Sequence, residues 1–101
     1  MNLVVISGKI GHIEMVSQRE DGASLVDGVL IKTYNFEGNE LNRKYFFSIA
    51  GKKATEIYNT YKAGDNVVIN GKLASKIDEG GIIWLNILVS SMAKLESDEL
   101  F

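Results

Sequence analysis

Two different hydrophobic periods divide the chain. Residues 2–11 are mostly apolar, with Ser7, Gly8 and Lys9 set inside the run, which predicts a strand bent at Gly8. Residues 12–14 continue it loosely, and Arg19-Glu20-Asp21-Gly22 signals a turn. A second strand is expected over residues 24–36, with Gly28 as a bulge, and a third over 43–50. The polar run 37–42 makes the loop between them. The period then changes. Ala54, Ile57, Tyr58 and Tyr61 fall at i, i+3, i+4 and i+7, the stripe of an amphipathic helix within 51–63, with both tyrosines on its core face.

The segment KAGDNVVINGKL, residues 62–73, ends that helix at Gly64, turns through Asp65-Asn66 and starts a β-branched run, Val67-Val68-Ile69. Gly71 interrupts the run, which predicts a bulge or a close backbone approach. The fourth strand covers 66–76, Asp78-Glu79-Gly80-Gly81 makes a hairpin loop, and a fifth strand runs from Ile82 to about Ser91. The order is β-β-β-α-β-β: an all-β chain with one helix, the arrangement of a five-stranded OB-fold barrel. A single domain over 1–94 is expected, followed by a short acidic tail over 95–101.

Alternation sorts each strand into two faces. Val29, Ile31 and Thr33 share one side of the second strand, and Lys32, Tyr34 and Phe36 the other. In the third, Tyr45, Phe47 and Ile49 oppose Lys44, Phe46 and Ser48. In the fifth, Ile83, Leu85, Ile87 and Val89 are expected inward, leaving Trp84 and Asn86 outward. Each strand thus pairs an apolar face with one that mixes lysines and rings. Rings stack on bases and lysines follow phosphates, so the mixed face suits a single nucleic-acid strand. The same rings would equally cover a second small core, and Trp84 would equally serve a subunit interface. Lys52 and Lys53 read as a solvated face, and His12 as a surface or hydrogen-bonding residue.

Composition narrows the chemistry. The 101 residues include no cysteine and one histidine, so no disulfide, thiolate site or multi-histidine metal site is available. No cofactor is expected. The start, MNLVVISGKIG, lacks the basic beginning and long apolar core of a secretory leader, and no apolar run approaches a membrane span. A cytoplasmic, nucleoid-associated protein is expected. Net charge is −2, which argues against a polyanion partner until its distribution is considered. Glu96, Asp98 and Glu99 crowd the last residues, and without them the body carries eleven bases against ten acids.

These residues resemble the bacterial-type single-stranded DNA-binding protein family. The resemblance is carried by Asn2-Leu3-Val4 with Gly8 and Ile10, by Phe47-Ser48-Ile49-Ala50-Gly51-Lys52 with Ala54, and above all by Lys62-Ala63-Gly64-Asp65-Asn66-Val67 with Gly71-Lys72-Leu73. It implies an OB-fold homo-oligomer, dimer or tetramer, that protects single-stranded DNA without sequence preference in DNA replication, repair and recombination. Phe36 matches a family stacking position, and Phe46 lies near another, on what is expected to be the matching face. The chain departs from the pattern at His12-Ile13-Glu14, where the family has aspartate-proline-glutamate. It also carries Lys44 near an expected tryptophan, and Ile77 or Asp78 near an expected ring.

The family's acidic tip, closing in phenylalanine, docks on partner proteins. Glu96-Ser97-Asp98-Glu99-Leu100-Phe101 looks like such a tip with almost no linker, so Asp98, Glu99, Leu100 and Phe101 are candidate contacts to replication or repair proteins. The bland reading is a solvated end. The expected nucleic-acid site is Lys32, Lys44, Lys72 and Lys76 for phosphates, with Tyr34, Phe36, Phe46 and Trp84 for bases. An alternative is an OB-fold interaction module of a primosome or replication-accessory type, binding DNA weakly. An enzyme is not expected, because no carboxylate pair has a recognisable catalytic spacing.

Overall fold

The computed structural model describes residues 2–95, so the docking expectations for Asp98, Glu99, Leu100 and Phe101 lie outside the described residues. Its elements are β1 (Val4–Gln18), β2 (Ser24–Phe36), β3 (Asn39–Gly51), α1 (Lys52–Thr60), β4 (Asn66–Ile77) and β5 (Ile83–Lys94). The strands close into a barrel in the order β1-β2-β3-β5-β4. Every pairing is antiparallel except β3 with β5, where Phe46, Phe47 and Ser48 run parallel to Asn86, Ile87 and Leu88. Short connections join the consecutive antiparallel pairs β1–β2, β2–β3 and β4–β5, while β1 and β4 pair across the closure. The seam between β3 and β5 instead needs a crossover, which α1 and β4 supply. This is the expected OB-fold order.

Closure buries one face of each strand. Phe47, Ile10, Leu30, Ile49, Ile69, Val26 and Val67 are the largest wholly buried side chains. α1 covers one end of the barrel with Ala54 and Ile57, and the Thr55 hydroxyl lies 2.6 Å from that of Ser24 on β2. Its predicted core stripe narrows here: Tyr58 is exposed, while Tyr61 is half-buried and donates its hydroxyl to the Met92 carbonyl at 3.1 Å. Nine residues give only two and a half turns, and only one side of them meets the sheet.

Two glycines act differently from their sequence reading, and a third as expected. The helix ends at Thr60 with an extended cap at Tyr61, so Gly64 (φ 99°) is not its C-cap. It belongs to a separate turn that ties the barrel shut. Gly64 N–H donates to the Ile10 carbonyl and Ile10 N–H to that of Asp65, fastening the turn to β1 before β4 begins. Gly28 pairs regularly with both Ile13 and Phe47, with no bulge. A side chain there would run into the Phe47 ring, so packing rather than register accounts for it. Gly71 does lie at a register shift, after Asn70, and a Cβ would strike the Leu88 carbonyl.

Both long hairpins overhang the barrel. The loop expected over 37–42 contracts to Glu37-Gly38, both at positive φ (50° and 81°), because this two-residue turn matches strand twist. β3 therefore starts at Asn39, and Phe36 pairs with Asn39. The overhang inverts the expected faces of β2. Val26 and Leu30 point into the core, and Lys32, Tyr34 and Phe36 continue that same face as it leaves the barrel. Likewise Ile87 and Val89 are buried, but Leu85 and Ile83 are 66% and 64% exposed on the projecting β4–β5 hairpin. Among the described residues, no helix is long and apolar enough to cross a membrane.

Candidate nucleic-acid interface

Register decides which candidate residues meet. Across β2 and β3, Val29 pairs with Phe46, Ile31 with Lys44 and Asp27 with Ser48, so these share the outer face of the barrel. Lys32 pairs with Arg43, Tyr34 with Leu41 and Phe36 with Asn39, on the reverse face of the same ribbon. The expected matching of Phe36 with Phe46 is thereby corrected: the two rings lie on opposite sides of one two-stranded sheet. Strand identity alone could not separate them, because the register depends on where the turn falls.

The outer face gathers Phe46, Trp84 and Lys76. Lys76 pairs with Trp84 on the β4–β5 hairpin, and Lys72 pairs with Leu88 further along the same face. The rings of Phe46 and Trp84 meet edge to face, with centroids 5.7 Å apart and planes at 84°. Both stay accessible, at 42% and 45%. They flank a cleft of about 300 Å³ that also takes in Asp27, Ser48, Lys76 and Asn86. Lys72 lines a shallow neighbouring depression with Lys53 and Leu88, which shares Ser48 with the cleft. Lys44 stands two residues from Phe46 on the same face, exposed.

Polar wiring holds this cleft. Asn86, only 7% exposed, donates from Nδ2 to Ser48 Oγ at 3.0 Å, and Ser48 Oγ donates to Asp27 Oδ1 at 2.6 Å. Lys76 Nζ lies 3.6 Å from Asp27 Oδ2. Trp84 is held by its own loop. Its indole N–H donates to Asp78 Oδ2 at 2.9 Å, while Asp78 Oδ1 accepts the Gly80 and Ile82 amides, each at 2.9 Å. These donors, the indole first, hold the Asp78 carboxyl below its ordinary value. Sequence reading places Ser48 and Asn86 on this face without giving them a role and gives none to Asp27 or Asp78; Asn86, expected outward, is buried. The available signal was Asp78 opening a Glu-Gly-Gly loop six residues before a tryptophan.

The reverse face is a flatter surface. Tyr34, Phe36, Leu41, Arg43 and Tyr45 gather there, with Phe36 61% exposed. The Arg43 guanidinium carbon lies 5.9 Å from the Tyr34 ring centroid, within cation–π range. The Tyr34 and Tyr45 hydroxyls are 3.2 Å apart; that bond, and burial after it, push the Tyr45 phenol above its ordinary value. Lys32 is less free than expected: half-buried, it donates to Ser7 Oγ at 2.9 Å. Arg43 takes its place as the exposed cation.

A closed five-stranded barrel with one helix between β3 and β4 defines an OB-fold protein. Among solved structures, the chain is similar to the protein priB from Ralstonia solanacearum, with a TM-score of 0.68 and 14% identity over 94% of this chain and 99% of that one. At that identity the likeness carries the fold alone. No protein-family model matches the chain, and no curated protein matches it.

Proposed function

We propose that this protein binds single-stranded DNA through the outer face of β2, β3 and the β4–β5 hairpin, coating it stoichiometrically and without catalysis. The observation that carries the reading is the convergence of Phe46, Trp84 and Lys76 at one cleft, with Lys44 and Lys72 beside it on one exposed face. The strand 2–3 face and the loop between strands 4 and 5 are where OB-folds take oligonucleotides, and both contribute here. Two accessible rings supply stacking, and three exposed lysines track phosphates. Replication, repair or recombination is the setting, with a homodimer or homotetramer as the working form, in keeping with the family the sequence resembles. Contacts of Asp98, Glu99, Leu100 and Phe101 with partner proteins belong to the same proposal.

The test follows Trp84 fluorescence during titration with mixed-sequence single strands and with duplex, at low and high salt. Saturable, salt-weakened binding to single strands but not to duplex is expected. A second reading, an OB-fold interaction module of a primosome or replication-accessory type, is favoured by one surface. Ile77, Ile83 and Leu85 project bare from the β4–β5 hairpin. Absence of single-strand binding even at low salt would move the function there. The fold shared with priB bears on both readings equally.

A further inference from the structure

We propose that the cleft lined by Phe46 and Trp84 selects the base it holds, with Asp27 accepting a hydrogen bond from an exocyclic amino group, so that cytosine is preferred to thymine. This rests on the single-strand reading and goes beyond it, since stacking and phosphate contacts alone give only modest base preferences and no hydrogen-bond readout.

The starting point is an electrostatic misfit. A carboxylate inside a groove for a polyanion opposes binding by like charge. Asp27 is nonetheless built into this one, its side chain only 27% exposed. The polar chain around it runs in one direction, from Asn86 to Ser48 to Asp27 Oδ1. That chain fixes the carboxylate and occupies one oxygen. Among the described residues, the other, Oδ2, is held only by Lys76 at 3.6 Å, and the Lys76 side chain is 62% exposed on a projecting hairpin. A phosphate that draws Lys76 away leaves Oδ2 as an acceptor in need of a donor. Asp78 does not compete for that role, because it already takes three N–H groups from its loop and Trp84.

An ionised carboxylate only accepts. At the matching ring position cytosine offers an amino donor, whereas thymine offers a carbonyl acceptor. Stacked alike, cytosine would give Asp27 a hydrogen, and thymine would press a lone pair against it. A cleft of about 300 Å³ sits at the small end of ligand sites and suits one base-sized ring. The competing account is that the network only staples β5 to β3 through Ser48, which would make Asp27 matter for stability and leave it blind to the base.

The experiment compares binding of equal-length, fluorescein-labelled oligo-dC and oligo-dT by the whole chain. Oligo-dC should bind tighter by roughly tenfold or more, the worth of one hydrogen bond to a charged group. Asp27→Asn, whose amide both donates and accepts, should erase the difference. Strands carrying 2-pyrimidinone, which lacks the amino group, should lose the advantage with the wild-type chain, so the test survives if the variant does not fold. Equal or tighter binding of oligo-dT, or a preference retained by folded Asp27→Asn or by the 2-pyrimidinone strand, would overturn the inference while leaving single-strand binding intact. Binding of neither homopolymer would sink the single-strand reading and this inference together.

Discussion

The two faces of the β2–β3 ribbon carry similar residues in different states of organisation. On the outer face, Phe46 is locked edge to face against Trp84, which is itself held by Asp78, over the buried Asn86. On the reverse face, Phe36 stands 61% exposed near the hairpin tip, with Tyr34 and Arg43 behind it. Both combine rings with cations. The difference is preorganisation: the outer cleft joins four strands and a braced loop, whereas the reverse face belongs to one hairpin beyond the barrel. A ring held in place loses less freedom when a base stacks on it, so the outer face should contribute more per residue.

The largest expected effect separates that face from the core behind it. Phe47→Ala removes a wholly buried ring and should cost about 3–5 kcal/mol of stability by denaturant unfolding. Phe46→Ala, one residue away and 42% exposed, should cost much less. Equal losses would mean that Phe46 is packing rather than platform. Next in size is binding itself. Phe46→Ala and Trp84→Ala should each weaken single-strand affinity by about 1–3 kcal/mol, and Phe36→Ala by less. Since the two rings lie on opposite faces of the ribbon, the Phe46/Phe36 double variant should be additive within roughly 0.5 kcal/mol. A Phe36→Ala effect exceeding that of Phe46→Ala would reverse the ranking.

Salt resolves the cations more finely. Affinity should fall log–log with a slope near −0.7 per phosphate neutralised, and Lys44→Ala or Lys76→Ala should each flatten it by about that amount. Lys32→Ala should leave the slope nearly unchanged, because Lys32 lies half-buried on the reverse face, away from the outer cleft. The smallest effect is acid release of Trp84. Asp78 is depressed below its ordinary value of 3.8, so its bracing is complete above that pH and is lost as pH falls through the lower folded value. Trp84 emission should therefore hold steady down to about pH 4 and shift only below it. Asp78→Asn should show the shifted emission at neutral pH.

The strand count, the helix and the OB order were legible because period 2 and period 3.6 differ plainly along this chain. Ser24 and Phe36 bound β2 as expected, and Gly71 marks a real irregularity. Of the site residues, Lys44, Phe46, Lys72, Lys76 and Trp84 share the outer face, while Lys32, Tyr34 and Phe36 lie behind it. Alternation sorted these residues into the right pairs of faces within each strand. It could not say which face of β2 adjoins which face of β3, because one residue of register exchanges them. The turn at Glu37-Gly38 made that choice.

By itself, the sequence determined the elements and which residues within each strand look the same way, since those follow from backbone geometry alone. It also supplied the rings and lysines. Tertiary structure decided where the hairpins leave the barrel, and so why Leu85 and Phe36 are bare while Ile87 and Leu30 on the same faces are buried. It alone joined Asp27, Ser48 and Asn86, three polar residues from three strands that have no spacing in common. Barrel closure makes neighbours of β3 and β5 across the parallel seam, and no local pattern can record a contact made only when the sheet shuts.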